Sequence, residues 1–332
     1  MDKITRWGII GPGKIAEKFA RDLSALPNAR LQAVASRSLE RARLFADKFQ
    51  VPHFFEQYEA MLDSGLVDAV YIATPHTGHH PCALLCLERN IPVLCEKPIA
   101  VNARQTREMI AAARHHQTFL MEALWTRFLP SIQQVLEILQ SGALGTVTSI
   151  KADFGFLPEF DPHSRLFDLQ LAGGALLDVG IYPLFLAHLL LGKPTHISAL
   201  GVLGSTGVDE ETGILLRFPN DAMAHLHTTI RSHTKTEAYI YCTHGTIYLH
   251  TRWYSTTTMS ILRHGHPPTF HRFDYRCGGF SYQIEEVMRC LNQGLSESPA
   301  LSLDFSLSVM ETMDTIRQQI GLVYPADETH HS

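Results

Sequence analysis

Nowhere does the chain run to the roughly 20 consecutive apolar residues that a membrane-spanning helix needs. Its longest candidate, 175–191, is interrupted by Asp178, Gly180, Pro183 and His188. The N-terminus, Met1 to Arg6, lacks the apolar core and small-residue cleavage site of a secretory signal, so the expected location is the cytoplasm, away from any membrane. Charge of one sign is scarce as well: 28 Lys and Arg against 33 Asp and Glu give a net charge of -5, which excludes recruitment of nucleic acid by bulk electrostatics. The six cysteines, Cys82, Cys86, Cys95, Cys242, Cys277 and Cys290, form no C-x-x-C pair and are expected to be free, buried thiols. Histidine is abundant at 19, yet no H-E-x-x-H or comparable ligand spacing occurs; His115–His116 and His330–His331 read as solvated surface or tail residues, and no metal is expected.

What is there is an ordinary globular composition, 45% hydrophobic and 18% charged, in 332 residues, enough for two domains. The first part alternates short apolar runs (6–10, 31–35, 69–73, 93–95, 119–121) with amphipathic segments (14–26, 39–49, 58–64, 79–89, 102–115), the rhythm of a parallel sheet flanked by helices. Asn102 is a candidate N-cap for the last of these helices. From Thr146 onward strand-like runs follow one another without helices between them (148–154, 197–203, 213–218, 222–230, 238–242, 246–250 and further runs to 273). That succession predicts a mostly antiparallel sheet. Helical segments at 281–292 and 303–320 close the chain. The expected class is therefore α/β: an N-terminal Rossmann-type domain (1–122) with a parallel sheet, then an α+β domain (123–332) with a large, mostly antiparallel open-faced sheet.

The sharpest local feature is Gly8-Ile9-Ile10-Gly11-Pro12-Gly13-Lys14-Ile15-Ala16, a G-x-G-x-x-A pattern that follows an apolar strand and opens an amphipathic helix. Gly11 permits the tight turn, Gly13 lets backbone approach a pyrophosphate, and Ala16 allows close helix-to-strand packing, while the amides of Lys14 and Ile15 face the phosphates. An acid about 20 residues further on would hold the ribose 2′-hydroxyl of NAD. None is present. The strand ends instead in Ser36-Arg37-Ser38, with Arg41 one turn on, a set suited to a 2′-phosphate and hence to NADP.

Two further segments lie at carboxyl ends of predicted parallel strands: Thr74-Pro75-His76-Thr77-Gly78-His79 and Glu96-Lys97-Pro98. Thr74, Pro75, His76 and His79 are candidates for cofactor contacts, His79 near the nicotinamide. At this point the chain resembles the Gfo/Idh/MocA family of oxidoreductases. The resemblance implies that Glu96, Lys97 and Pro98 line the nicotinamide site and that Lys97 is catalytic. It extends through Met121-Glu122-Ala123, Arg127-Phe128 and Pro130, the segment Ala172-Gly173-Gly174-Ala175-Leu176-Leu177-Asp178-Val179-Gly180-Ile181-Tyr182-Pro183, and the ending Gly321-Leu322-Val323-Tyr324-Pro325. Many relatives carry histidine four residues after the aspartate; Tyr182 stands there in this chain, as in the dihydrodiol and NADP-dependent D-xylose dehydrogenase branch. The resemblance also implies a homo-oligomer, dimer or tetramer, formed through the C-terminal sheet.

The side chains make chemical sense apart from the family. Oxidising an alcohol requires a base for the hydroxyl proton, and an unperturbed tyrosine, at about 10, is a poor one. A nearby ammonium stabilises a phenolate, which assigns Lys97 as assistant to Tyr182. If the segment is helical, Asp178 and Tyr182 share a face and the carboxylate orients substrate or lysine. Trp125, Arg127, Phe154 and Arg165 are candidate pocket walls of the second domain. The expected activity is hydride transfer between nicotinamide and a hydroxyl of a cyclic polyol, sugar or trans-dihydrodiol, or the matching carbonyl. Two alternatives remain at this level: a nucleotide-sensing regulator without turnover, and an NAD-dependent glycoside-cleaving member of the same family.

Overall fold

The computed structural model describes residues 4–328; Met1 to Lys3 and Thr329 to Ser332, with the His330–His331 pair, lie outside the described residues. The chain divides into two compact units, one built from residues up to Trp125 together with Arg276–Ser306, the other from Thr126–Tyr275 and residues from Leu307 onward. Residues 276–306 thus rejoin the first unit, whereas the sequence pattern assigned them to the second domain.

In the first unit six strands, β1 (Thr5–Ile10), β2 (Ala29–Ala35), β3 (His53–Phe55), β4 (Ala69–Ile72), β5 (Val93–Cys95) and β6 (Leu120–Glu122), stand in the order β3-β2-β1-β4-β5-β6. All pairings are parallel. Helices cover both faces of such a sheet, which is why Ile9, Ile10, Val70, Tyr71, Ile72, Val93 and Leu94 are all fully buried and the strands read as continuous apolar runs. Strand order reverses between β1 and β4, opening a crevice at the carboxyl ends. The crossovers are α1 (Lys14–Ser24), α2 (Leu39–Phe49), α3 (Tyr58–Leu62), α4 (His76–Leu87) and α5 (Ala103–His115). Asn102 caps α5 as its position predicted, accepting the Gln105 amide at 2.9 Å. The returning helix Ser281–Asn292 is capped from a distance: the Asp22 carboxylate on α1 accepts the amides of Gly278, Phe280 and Ser281 at 3.0, 2.7 and 3.3 Å.

The second unit begins with a helix absent from the predicted elements, α6 (Pro130–Gln140), whose proline sits in the first turn where its missing amide costs nothing. Eight strands follow: β7 (Val147–Gly155), β8 (His196–Leu203), β9 (Asp209–Arg217), β10 (Met223–Thr229), β11 (Ala238–Cys242), β12 (Gly245–Leu249), β13 (Thr258–Arg263) and β14 (Thr269–Arg272). They form one sheet in the order β14-β13-β12-β11-β7-β10-β9-β8, antiparallel except where β7 meets β10. Burial alternates along the strands: Ile214, Leu216, Ala224, Leu226, Ile240 and Ile247 point inward, while Leu200, Leu215, Met223, Tyr241 and Phe270 are exposed on the open side. The inward face covers α7 (Ile181–Leu191) and the π-helical turn Leu176–Gly180 that leads into it. An 18-residue window within Leu169–Leu191 has a mean hydropathy of 1.7, apolar enough by composition to cross a membrane, but 83% of that window is buried inside the protein, as in a core helix. All six cysteines are free; five are buried as expected, and Cys277 is exposed.

Candidate active site

The glycine turn does what its spacing requires. Gly11 has φ +88°, and a Cβ there would stand 2.9 Å from the Thr74 amide nitrogen, so the position admits no side chain. Gly13, by contrast, looks onto open space, with nothing within 4 Å of a Cβ position. That gap, directly before the first amides of α1, is a cradle that a Cβ would fill and a phosphate would use. Lys14 and Ile15 open α1 on its exposed side, and Ala16 is fully buried.

At the end of β2, the buried Ser36 hydroxyl accepts the Ser38 amide at 3.3 Å, and Ser38 caps α2 by accepting the Arg41 amide at 3.4 Å. Arg37 and Arg41 project as exposed side chains. Their charges converge on Tyr58, whose phenol is pushed up by burial while both guanidiniums pull it down. Two guanidiniums, two hydroxyls and a half-buried phenol are groups that could hold a phosphate ester. No sequence pattern pointed to Tyr58, since α3 is brought beside β2 only by the sheet.

Along β4 the ladder runs on into the turn, with the Ala73 amide donating to the Ile10 carbonyl at 2.8 Å. Thr74 follows, its buried hydroxyl without a hydrogen-bond partner. Pro75, with φ fixed at −57°, brings the chain into α4 at His76, three residues ahead of the predicted start. His79 is 1% exposed and its two ring nitrogens lie 2.8 Å from the Pro98 carbonyl and 3.0 Å from the Thr74 carbonyl. It therefore ties the turn after β4 to the turn after β5, and His76 packs edge-on against it.

The Glu-Lys-Pro turn is anchored by buried acids. Glu96 accepts from the Tyr71 hydroxyl and from the Lys97 amide at 3.2 Å, and burial raises its carboxyl above the usual range against the pull of Lys97 and Lys18. Glu122, at the end of β6, accepts the Ile99 amide at 2.9 Å, and burial pushes it up to about 7. Lys97 itself is half-buried, and its bond to Pro98 is cis. Trp125 belongs to this unit, not the second: it stacks on Phe280 at 5.0 Å, with the Lys18 ammonium 4.4 Å from its ring centre.

In the second unit the other candidates come together differently. Tyr182, 6% exposed, opens α7 beside Phe154 of β7 and Tyr254, with ring centres 5.5 and 5.2 Å away. Phe154 and Tyr254 stack on each other at 4.3 Å. Tyr254 is a residue the sequence did not single out; it sits on a short 3-10 turn whose backbone carbonyl accepts the Thr126 hydroxyl at 2.7 Å. Arg165 reaches Asp178 with both terminal nitrogens, at 3.0 and 3.3 Å, so the carboxylate is held by a planar fork. Asp178 lies in the π turn and Tyr182 in the α-helix that follows, rather than in one regular helix. Pro183 accounts for the widened turn, since in a regular helix its ring would press on the carbonyl of Val179. Arg127 lies in the 3-10 turn Trp125–Phe128, where its carbonyl accepts from Gln133 at 2.7 Å.

Comparison with known proteins now decides the lineage. Residues 5–124 match the oxidoreductase family with an NAD-binding Rossmann fold, Gfo/Idh/MocA, and residues 132–248 match that family's C-terminal domain. The chain belongs to the Gfo/Idh/MocA family. It is 39% identical to the mouse (Mus musculus) trans-1,2-dihydrobenzene-1,2-diol dehydrogenase over 97% of this chain and 99% of that one. The human (Homo sapiens) protein of the same name is 35% identical with the same coverage. Among solved structures, a 3-ketoreductase from Actinomadura kijaniata in complex with NADP and TDP-benzene superposes with a TM-score of 0.86 at 25% identity, over 95% of this chain and 98% of that one. This Gfo/Idh/MocA protein is accordingly an oxidoreductase of the dehydrogenase/reductase class.

Proposed function

We propose that the protein is an NADP(H)-dependent dehydrogenase acting on a ring-borne hydroxyl, with Tyr182 as general acid/base assisted by Lys97. A trans-dihydrodiol is the first candidate substrate, and cyclic polyols and sugars the next. The reading rests on one observation above others: a phenol flanked by two aromatic rings, Phe154 and Tyr254, in a chain 39% identical to a trans-dihydrodiol dehydrogenase. Aromatic walls suit the flat face of an unsaturated carbocycle.

Gly11, Gly13, Lys14 and Ile15 would hold the pyrophosphate, Ser36, Arg37, Ser38 and Arg41 the 2′-phosphate, and Thr74, Pro75, His76, Glu96, Lys97 and Pro98 would border the nicotinamide. Bound NADP supplies a ring that accepts a hydride or returns one. Tyr182 takes the hydroxyl proton as the carbinol C–H bond breaks, and gives it back to the carbonyl oxygen in reverse. Lys97 stabilises the phenolate form that makes this possible. Asp178, aligned by Arg165, orients the substrate hydroxyl. For a cyclohexadiene diol, loss of one carbinol hydrogen as hydride to the nicotinamide and of its hydroxyl proton to Tyr182 would give a hydroxydienone that tautomerises to a catechol, and aromatisation would draw the oxidation forward. The open face of the large sheet, with Leu200 84% exposed and the rings of Tyr239, Tyr241, Tyr248, His250 and Phe270 packed one against the next across it, is the surface for a second copy of the chain. Free thiols suit a reducing cytoplasm.

The test is a panel of dihydrodiols, sugars and their carbonyls, followed by the absorbance of reduced nicotinamide with NADP and NAD in parallel. Net reduction of NADP by trans-1,2-dihydrobenzene-1,2-diol or a cyclic polyol is the expected result. A strong preference for NAD, or no turnover across the panel by protein that binds NADP, overturns it.

A further inference from the structure

Gly173 and Gly174 begin the segment that delivers Asp178 and Tyr182, and nothing in the proposed reaction uses the groups that hold this turn. The Gly174 amide donates to the Leu166 carbonyl at 2.8 Å and the Gly173 amide to the Asp168 carbonyl at 3.0 Å. Neither glycine has room for a side chain. A Cβ on Gly173 would stand 2.5 Å from the Leu166 carbonyl oxygen, and one on Gly174, whose φ is +115°, would stand 2.2 Å from Oδ1 of Asp209.

Asp209, the first residue of β9, is fully buried. Its Oδ2 accepts the Leu176 amide at 2.8 Å and the Thr212 hydroxyl at 3.2 Å, whereas Oδ1 faces Gly174 with no hydrogen-bond partner. A carboxylate on the first amide of a helical segment acts as an N-cap supplied from elsewhere in the chain. Leaving one of its oxygens buried and unpaired is costly, and burial pushes the group up to about 7. From the other side the Tyr324 hydroxyl donates to the Gly173 carbonyl at 2.6 Å, its ring buried beneath the Arg317 guanidinium at 5.1 Å. Asp314 and Asp327 hold Arg317 in turn, at 2.6 and 2.5 Å. The turn is thus gripped by the start of a strand and by the C-terminal segment, neither of which carries a proposed reacting group.

We propose that Asp209 and Tyr324 are positioning residues: by fixing the Gly173–Gly174 turn they set where Asp178 and Tyr182 stand when the substrate reacts. This rests on the reading of Tyr182 as general acid/base. A displacement of about 1 Å in a reacting group can cost on the order of 100-fold in rate, and a shift of this turn moves both residues together.

The experiment compares Asp209→Asn and Tyr324→Phe with the unaltered enzyme, using NADP and trans-1,2-dihydrobenzene-1,2-diol with hydrogen or deuterium at the carbinol carbons. Asp209→Asn is expected to lower kcat by about 10- to 100-fold and to enlarge the isotope effect, because misalignment slows the chemical step itself. Tyr324→Phe, which loses only a hydroxyl, is expected to lower kcat by about 3- to 10-fold. The Kd for NADP, measured by fluorescence, stays unchanged in both, since the glycine cradle lies in the first unit. Normal kcat with a normal isotope effect in folded variants overturns the proposal. So does a loss that merely follows the folded fraction in circular dichroism. Tyr182→Phe in the same assay keeps the two readings apart: full turnover there removes the acid/base assignment, whereas an inactive Tyr182→Phe beside a fully active Asp209→Asn removes only the positioning role.

Discussion

The two units hold their candidate residues by different means. In the first, the candidates sit within a few residues of the carboxyl ends of β1, β2, β4 and β5, so the parallel sheet itself does the placing. In the second, Phe154, Asp178, Tyr182 and Tyr254 come from a strand, a π turn, a helix and a 3-10 turn. They are kept in place by side chains reaching across the fold: Arg165 to Asp178, Asp209 to Leu176, Tyr324 to Gly173. A site built from backbone is vulnerable where a Cβ would intrude. A site built from side chains is vulnerable at residues far from the chemistry.

The largest effect that would sharpen this contrast is on turnover. Tyr182→Phe and Lys97→Met are each expected to reduce kcat by about 10²- to 10⁴-fold while NADP still binds, as steady-state rates and a fluorescence titration would show. Next come the two glycines, which separate folding from ligand binding. Gly11→Ala forces a side chain into φ +88° against the Thr74 backbone and is expected to cost about 1–3 kcal/mol in denaturant melts. Gly13→Ala meets no neighbour, so stability should hold while the Kd for NADP rises about 10-fold or more. Equal loss of stability in both variants would break the distinction. Arg37→Ala is expected to weaken NADP by about 10-fold, on the scale of a hydrogen bond to a charged group, and to leave NAD untouched; paired titrations decide it.

The smallest effect, read per pH unit, concerns two of the buried acids, Glu122 in the first unit and Asp209 in the second. Burial raises Glu122 and Asp209 to about 7 each. Between the unfolded values near 4 and about 7 the folded chain keeps a proton on each that the unfolded chain has released. Their contribution to stability is therefore present at low pH and lost as pH rises through about 7. Each group contributes up to about 1.4 kcal/mol per pH unit in that window. Urea titrations at several pH values should show Glu122→Gln and Asp209→Asn each flattening the decline.

The same contrast governs what could be read beforehand. The glycine turn, the absence of an acid after β2 and the cap at Asn102 are all local in sequence, and the structure shows Gly11 at positive φ and Asn102 accepting the Gln105 amide. Strands β7 to β12 announced themselves as strand-like runs without helical segments between them. The three-residue β3 was too short to register, and α6 went unseen although Pro130 marks its start. Tyr254 and Tyr58 were invisible because their neighbours, Phe154 in one case and Arg37 in the other, lie far away along the chain. Arg165 was taken for a pocket wall, and nothing nearby in sequence says that its fork closes on Asp178. Asp209 carried no signal at all, since the Leu176 amide it accepts is met only when β9 joins the sheet.

A single turnover measures the role of Tyr182 most directly. Enzyme saturated with NADP is mixed rapidly with trans-1,2-dihydrobenzene-1,2-diol, and the rise in absorbance of the reduced nicotinamide is followed in the unaltered protein and in Tyr182→Phe. Reduction slowed by about 100-fold or more in the variant, at an unchanged Kd for NADP, is the predicted result; equal rates in the two proteins would contradict a proton-transferring phenol.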